Sequence, residues 1–151
     1  MGKIQPMIKV LTVLLISLVN FYAYAQCTQA DTTMLYADKG KTPAWPVGKN
    51  MPLIVLKSDK LWANVKAVDG YSYWVKKNQL SKKNLKCVVV KLEKVNLRVG
   101  PSTKKALHKF RIADKYTSFK VVLSQKSWLF VESHLGFKAW VSKAAVWPPI
   151  K

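Results

Sequence analysis

Residues 62–75 read WANVKAVDGYSYWV, and residues 128–141 read WLFVESHLGFKAWV. Each stretch opens on a Trp, places a Gly after a short polar break, and closes on Trp-Val. The matched positions are 66 residues apart throughout: Trp62/Trp128, Val65/Val131, Gly70/Gly136, Tyr71/Phe137, Trp74/Trp140 and Val75/Val141. The same offset runs downstream to Leu80/Val146 and upstream through Val55/Val121, Leu53/Phe119, Lys49/Lys115 and Gly48/Asp114. Four tryptophans and two glycines at one offset mark a tandem duplication. The join falls near Ser81–Lys86, a polar, basic stretch suited to a short linker.

Within each copy the apolar period is two, not 3.6. Short β-branched and aromatic runs flank Val68-Asp69-Gly70 in one copy and His134-Leu135-Gly136 in the other. Asp-Gly between alternating runs is a strong hairpin signal. Leu53–Leu56 and Phe119–Leu123 read as the preceding strands. Pro43, Pro46, Pro52 and Pro101 disfavour helix where they fall. The expectation is an all-β chain of two small barrels or sandwiches, each of about five short strands. Large aromatics supply much buried area in so small a unit. Trp62, Trp74, Trp128 and Trp140 are therefore expected in or near the cores, the alternative being that one Trp per unit lines a binding groove.

The N-terminus has its own pattern. Lys3 and Lys9 precede the apolar run Val10–Val19, and Ala23-Tyr24-Ala25 follows it. This order reads as a secretory signal peptide over residues 1–25, with a retained membrane anchor as the alternative. Ten apolar residues are few for a bilayer span. Gln26 and Tyr24 ahead of Cys27 do not fit a lipoprotein cleavage site, so the mature chain is expected to begin at Gln26. The later sequence has no long apolar run, so no transmembrane helix is expected in the mature chain. The units are placed at 28–82 and 88–147.

The 151 residues are 50% hydrophobic and carry 26 Lys+Arg against 7 Asp+Glu, a formal charge of +19. That composition excludes a disordered polar chain. Loss of Lys3 and Lys9 leaves +17, spread over both halves. Seven acids leave little room for carboxylate catalysis or a carboxylate-rich metal site. Two His and two Cys lack the close paired spacing of a zinc site. No metal, cofactor or catalytic residue is expected. Lysines make up 24 of the cations, and Lys suits diffuse attraction to polyanions. Cys27 and Cys87 each precede a unit. Export would bring them to an oxidising compartment, where a Cys27–Cys87 disulfide is expected over two free thiols.

The second copy resembles the bacterial SH3-like (SH3b) domain family. The resemblance rests on Val95-Asn96-Leu97-Arg98-Val99-Gly100-Pro101-Ser102, then Trp128–Val131, then Gly136-Phe137-Lys138-Ala139-Trp140-Val141. It covers residues 90–147 and departs at Ala139, where the family usually has Gly. The first copy lacks the Asn-x-Arg and Gly-Pro-Ser opening. The resemblance implies two tandem SH3-like β-barrels that bind rather than catalyse, in the periplasm or outside the cell. It implies peptidoglycan as the partner, and the Lys-rich charge adds an anionic envelope polymer as a candidate. A protein–protein adaptor, or an accessory subunit of an envelope enzyme, is the alternative. Nucleic acid is not an expected partner of an exported chain.

Candidate groove residues are Asn96, Arg98, Ser102, Trp128, His134 and Trp140. Asn96 is expected to bond nearby backbone and Arg98 to stack on a Trp face, a carboxylate or phosphate clamp being the alternative for Arg98. The loop after the first strand is expected to form one wall. Trp128 and the hairpin Ser133–Gly136 are expected to form the other. Trp140, inside the last hairpin, is expected to be the more structural of the two tryptophans, and the first unit mainly scaffold.

Overall fold

A computed structural model describes residues 25–82 and 85–151. The expected signal peptide lies outside the described residues, apart from Ala25. Six strands form the first unit: β1 (Ala25–Cys27), β2 (Thr32–Tyr36), β3 (Pro43–Gly48), β4 (Pro52–Ser58), β5 (Trp62–Lys66) and β6 (Ser72–Lys76). Seven form the second: β7 (Cys87–Val90), β8 (Lys94–Arg98), β9 (Leu107–Asp114), β10 (Ser118–Gln125), β11 (Trp128–Glu132), β12 (Lys138–Ser142) and β13 (Val146–Trp147). One 3-10 turn follows β6 (Lys77–Gln79) and another follows β12 (Lys143–Ala145).

The first sheet runs β1-β4-β5-β6-β2-β3, and the second runs β13-β7-β10-β11-β12-β8-β9. Both are antiparallel, and the order is the same in each. The place of β13 is taken in the first unit by a single bridge, Thr28 to Leu80. The count exceeds the expected five because a short N-terminal strand and a C-terminal return pair with each other at one edge. β1 also starts ahead of the expected boundary at residue 28, and Ile150 packs on the second core beyond residue 147.

Turn chemistry explains the hairpins. Gly70 and Gly136 both have φ of 85°, a region that penalises any Cβ. Asp69 Oδ1 accepts the Tyr71 N–H at 3.0 Å, and Ser133 Oγ accepts the Leu135 N–H at 3.1 Å. β3 contains Pro43 and Pro46 and lies at a sheet edge, where a missing N–H costs no ladder bond.

The repeat is sharper in three dimensions than in sequence. β4, β5, β6 and the 3-10 turn start 66 residues before β10, β11, β12 and theirs, but β1 and β2 start only 62 before β7 and β8. The four extra residues of the second unit fall in the loop 99–106 and in β9. There His108–Arg111 bulge opposite Leu97.

Every strand of the second sheet supplies a buried residue to one cluster, among them Val88, Leu97, Ala113, Phe119, Leu129, Val141 and Val146. A single sheet sharing one core must roll around it, as small barrels do. In the first unit β2 to β6 supply Leu35, Val47, Leu53, Val65 and Val75 to the equivalent cluster, with Leu80 after the 3-10 turn. The two cores meet at β7, whose four residues are all buried. Val88 and Val90 enter the second core, whereas Val89 enters the first, where Trp147 also packs. Ser118 Oγ donates to the Lys49 carbonyl at 2.7 Å, and Trp45 meets Tyr116 edge-on at 5.0 Å. Cys27 is bonded to Cys87, which ties β1 to β7.

The four repeated tryptophans are half-buried and lie outside the buried core clusters. In β11 the buried positions are Leu129 and Val131, and Trp128 and Phe130 alternate outward, half-buried. In β12 Ala139 and Val141 are buried and Trp140 is half-buried. Trp140 lies 5.0 Å from Phe130, its cross-strand neighbour, on the outer face. Trp140 is thus outside the interior, which Leu, Val and Ala fill, and packs on Phe130 on the outer face.

Leu129→Ala should cost about 2–5 kcal/mol, as buried Leu truncations do. Trp140→Ala should cost less, about 1–2 kcal/mol, from a half-lost burial and one aromatic contact. Denaturant melts of the two variants rank them. Replacing both cysteines by Ser should cost about 4 kcal/mol for a 60-residue separation on chain-entropy grounds. An unchanged denaturation midpoint would show that β7 packing alone holds the junction.

Candidate functional site

The second unit carries a cleft of about 270 Å³ between β8, the loop after it, Trp128 and the 3-10 turn. Strand alternation builds one wall. Lys94, Asn96 and Arg98 are every second residue of β8 and share its outer side, opposite buried Leu97. Trp128 opens β11 directly across from Ser142, the last residue of β12. The turn that follows brings Ala144 and Ala145 to the floor.

Of the expected groove residues, the cleft brings together Asn96, Arg98 and Trp128. Three others lie elsewhere. The Ser102 hydroxyl oxygen accepts the Lys104 N–H at 3.1 Å, which shapes the loop, and Thr103 faces the cleft instead. His134 is exposed at the tip of the β11–β12 hairpin. That hairpin is four residue pairs away from Trp128, about 13 Å at strand rise, so it cannot form the far wall. The 3-10 turn does so. Trp140 is cross-strand to Arg98 on the same outer face but outside the cleft lining.

Arg98 does not stack on a tryptophan. Its Nη1 donates 2.8 Å to the Lys105 carbonyl at the base of its own loop. The Lys105 side chain lies over Gly100, where a Cβ would come within 2.8 Å of Cγ. A guanidinium has five N–H donors, so most of the fork is left for a ligand. Asn96 is exposed. Its backbone pairs with Ile112. Lys94 and Ser142 were missed by sequence reasoning. Both were within its reach, each two residues from a strand residue on the outer face. Thr103 lies in the loop that was expected to form one wall.

The corresponding region of the first unit is tied shut. Register places Tyr36 where Arg98 stands, opposite Trp74. The loop 37–42 folds onto the Trp62 ring, which a Cβ on Gly40 would approach to 2.9 Å. Asp38 shapes this loop by accepting the N–H groups of Lys41 and Thr42. Lys39 then reaches across to Asp59 at 2.6 Å and lies 4.7 Å over the Trp74 ring. Asp59 also accepts the Leu61 and Trp62 N–H groups at 2.9 and 2.8 Å. The repeat puts Gln125 at that position in the second unit, and the clamp has no counterpart there.

Cys87 is in the disulfide, and His108 stacks at 5.3 Å on Phe137. No family model matches the chain, and no curated protein matches it. Among solved structures, NlpC2 from Trichomonas vaginalis aligns at a TM-score of 0.37 and 10% identity, covering 84% of this chain and 49% of that one. The chain thus spans about half the length of that protein.

The Lys39 ammonium first, then the N–H groups of Trp62 and Leu61, hold the Asp59 carboxyl well below the usual carboxylate range. A lowered carboxyl favours the clamp above its ordinary pKa, and that help disappears as pH falls through the lowered value. The loop should therefore stay closed down to about pH 4, the ordinary Asp value, and open only in stronger acid. Asp59→Ala should open it at every pH. The Trp62 indole resonance, whose ring the loop covers, reads this: a resonance unchanged in Asp59→Ala would show that the carboxylate does not hold the loop.

Proposed function

We propose that this chain is a non-catalytic, exported bacterial SH3-like (SH3b) tandem protein that binds the cell envelope through its second unit. Its ligand is a carboxylate-bearing peptide or glycan of peptidoglycan, or another anionic envelope component. The observation that carries this reading is the composition of the cleft. Trp128 stands on one side, Lys94 and Arg98 on the other, and no Asp or Glu lines it.

Each group suits such a ligand. An indole offers a flat apolar face to a sugar ring or an apolar side chain. The free part of the Arg98 fork matches a carboxylate, and Lys94 adds a second positive charge. Export rests on the N-terminal pattern of residues 1–25. Among the described residues no helix is long and apolar enough to cross a membrane.

Binding to purified sacculi should have two parts. The net positive surface gives a salt-sensitive part, and the cleft gives a part that survives high salt, where exposed charges are screened. Arg98→Ala and Trp128→Ala should each weaken the salt-resistant part about tenfold, the scale of one lost charged hydrogen bond or stacking contact. If all binding vanishes at high salt and neither substitution matters, the cleft is not the site. If the protein never sediments with sacculi, an adaptor role takes precedence.

A further inference from the structure

The first unit has a cleft of its own, of about 290 Å³, lined by Lys60, Leu61, Trp62, Lys76, Lys77 and Asn78. It stands at the repeat position of the second unit's cleft. Trp62, Lys76 and Asn78 correspond to Trp128, Ser142 and Ala144 at the 66-residue offset. The two clefts open on different sides of their tryptophan. In the second unit the opening faces β8. In the first, the loop held by Lys39 and Asp59 covers that side, and the opening faces the turn between β4 and β5.

We infer that this first-unit cleft is a second binding site, specific for phosphate groups. Three lysines and no Asp or Glu line it. The nearest acid, Asp59, already accepts Lys39, Leu61 and Trp62. Lys77 Nζ is held at 3.0 Å from the Asp59 carbonyl, and Lys76 is cross-strand to Trp62. Lys77 is thus fixed beside the indole, and strand pairing places the backbone of Lys76 opposite it. Three point charges around one cleft match the multiple charge and tetrahedral oxygens of phosphate. A carboxylate is better served by a planar guanidinium, which this cleft lacks. The second unit has Ser142 in place of Lys76, so its cleft cannot present the same triad. The site does not depend on what the second unit binds.

Polyphosphate and phosphatidylglycerol vesicles supply the same chemistry from a polymer and from a lipid headgroup. Poly-glutamate is the carboxylate control, and all three are titrated against the full exported chain. A triple Lys60→Gln, Lys76→Gln, Lys77→Gln variant should lose at least about tenfold in polyphosphate affinity. Its log–log salt slope should fall by about two to three, near one per lost ion pair. A charge-matched variant with Lys49→Gln, Lys66→Gln and Lys120→Gln, exposed lysines outside the cleft, should lose no more than about twofold. The Trp62 indole N–H resonance should shift on addition of pyrophosphate in the wild type and not in the cleft variant. Arg98→Ala should leave polyphosphate binding unchanged, which separates this site from the second unit's cleft.

Triad-dependent binding to either phosphate probe supports the site, and the stronger probe identifies its source. Equal losses in the two triple variants would reduce it to diffuse charge. Poly-glutamate binding as tight as polyphosphate would overturn the phosphate assignment, as would a failure of both phosphate probes to bind. Thermal melts of both triple variants establish that they fold.

Discussion

Strand β7 is buried on both sides, and the chain is built around that fact. Val88 and Val90 face one core and Val89 the other. A unit of about 60 residues buries too little apolar surface for comfort when alone. Here one strand contributes to two cores at once. Pulling the units apart would expose Val89 and Trp147 on one side and reopen the first core on the other. The Cys27–Cys87 bond adds a covalent tie at the start of the same strand. It restricts the unfolded chain as well as the folded junction. The tandem arrangement is therefore a packed body, and the two clefts are held on it.

Much of this was legible in the sequence, and the reasons are local. The Asp69-Gly70 and Leu135-Gly136 turns, the alternating runs around them and the 66-residue offset announced two copies of one β-rich unit. Hairpins depend on neighbours in the chain, so neighbours in the chain reveal them. The side chains of the cores were harder. Size suggested that the tryptophans fill them, whereas alternation in Trp128–Val131 assigns the interior to Leu129 and Val131. The pattern outranked the size, because a small rolled sheet has room inside only for aliphatic side chains and one Phe. The opening of the first unit stayed hidden for another reason. Its offset is 62 rather than 66, and Leu35/Leu97 is among the few matched residues there.

The candidate site was legible only where it follows strand periodicity. Asn96 and Arg98 belong together because they are two apart on β8, and the same rule would have added Lys94. Ser102 and His134 were placed by proximity to motifs, and loops do not obey a period. Ser102 is used within its own turn. His134 belongs to the far end of a hairpin whose near end carries Trp128, and a strand's length separates them.

What distinguishes the two units is the direction in which a single cation ties the loop after the first long strand. In the second unit Arg98 binds the Lys105 carbonyl, a bond inside the loop that folds it back on its own strand. The cleft beside Trp128 is thereby left open. In the first unit Tyr36 stands at that position and packs edge-on at 5.7 Å from Trp62, and the cation is Lys39, which reaches outward to Asp59. That bond crosses from one wall to the other and closes the side of Trp62 that its counterpart leaves open. Gly40 is needed for the closure, since any side chain there would meet the Trp62 ring. A duplicated scaffold with the same indole in the same place thus presents two different surfaces. One offers a guanidinium beside an aromatic wall. The other offers three lysines, because the clamp leaves only the turn side free. Three exchanges, Tyr36 for Arg98, Asp59 for Gln125 and Lys76 for Ser142, account for the difference, with no change in strand order.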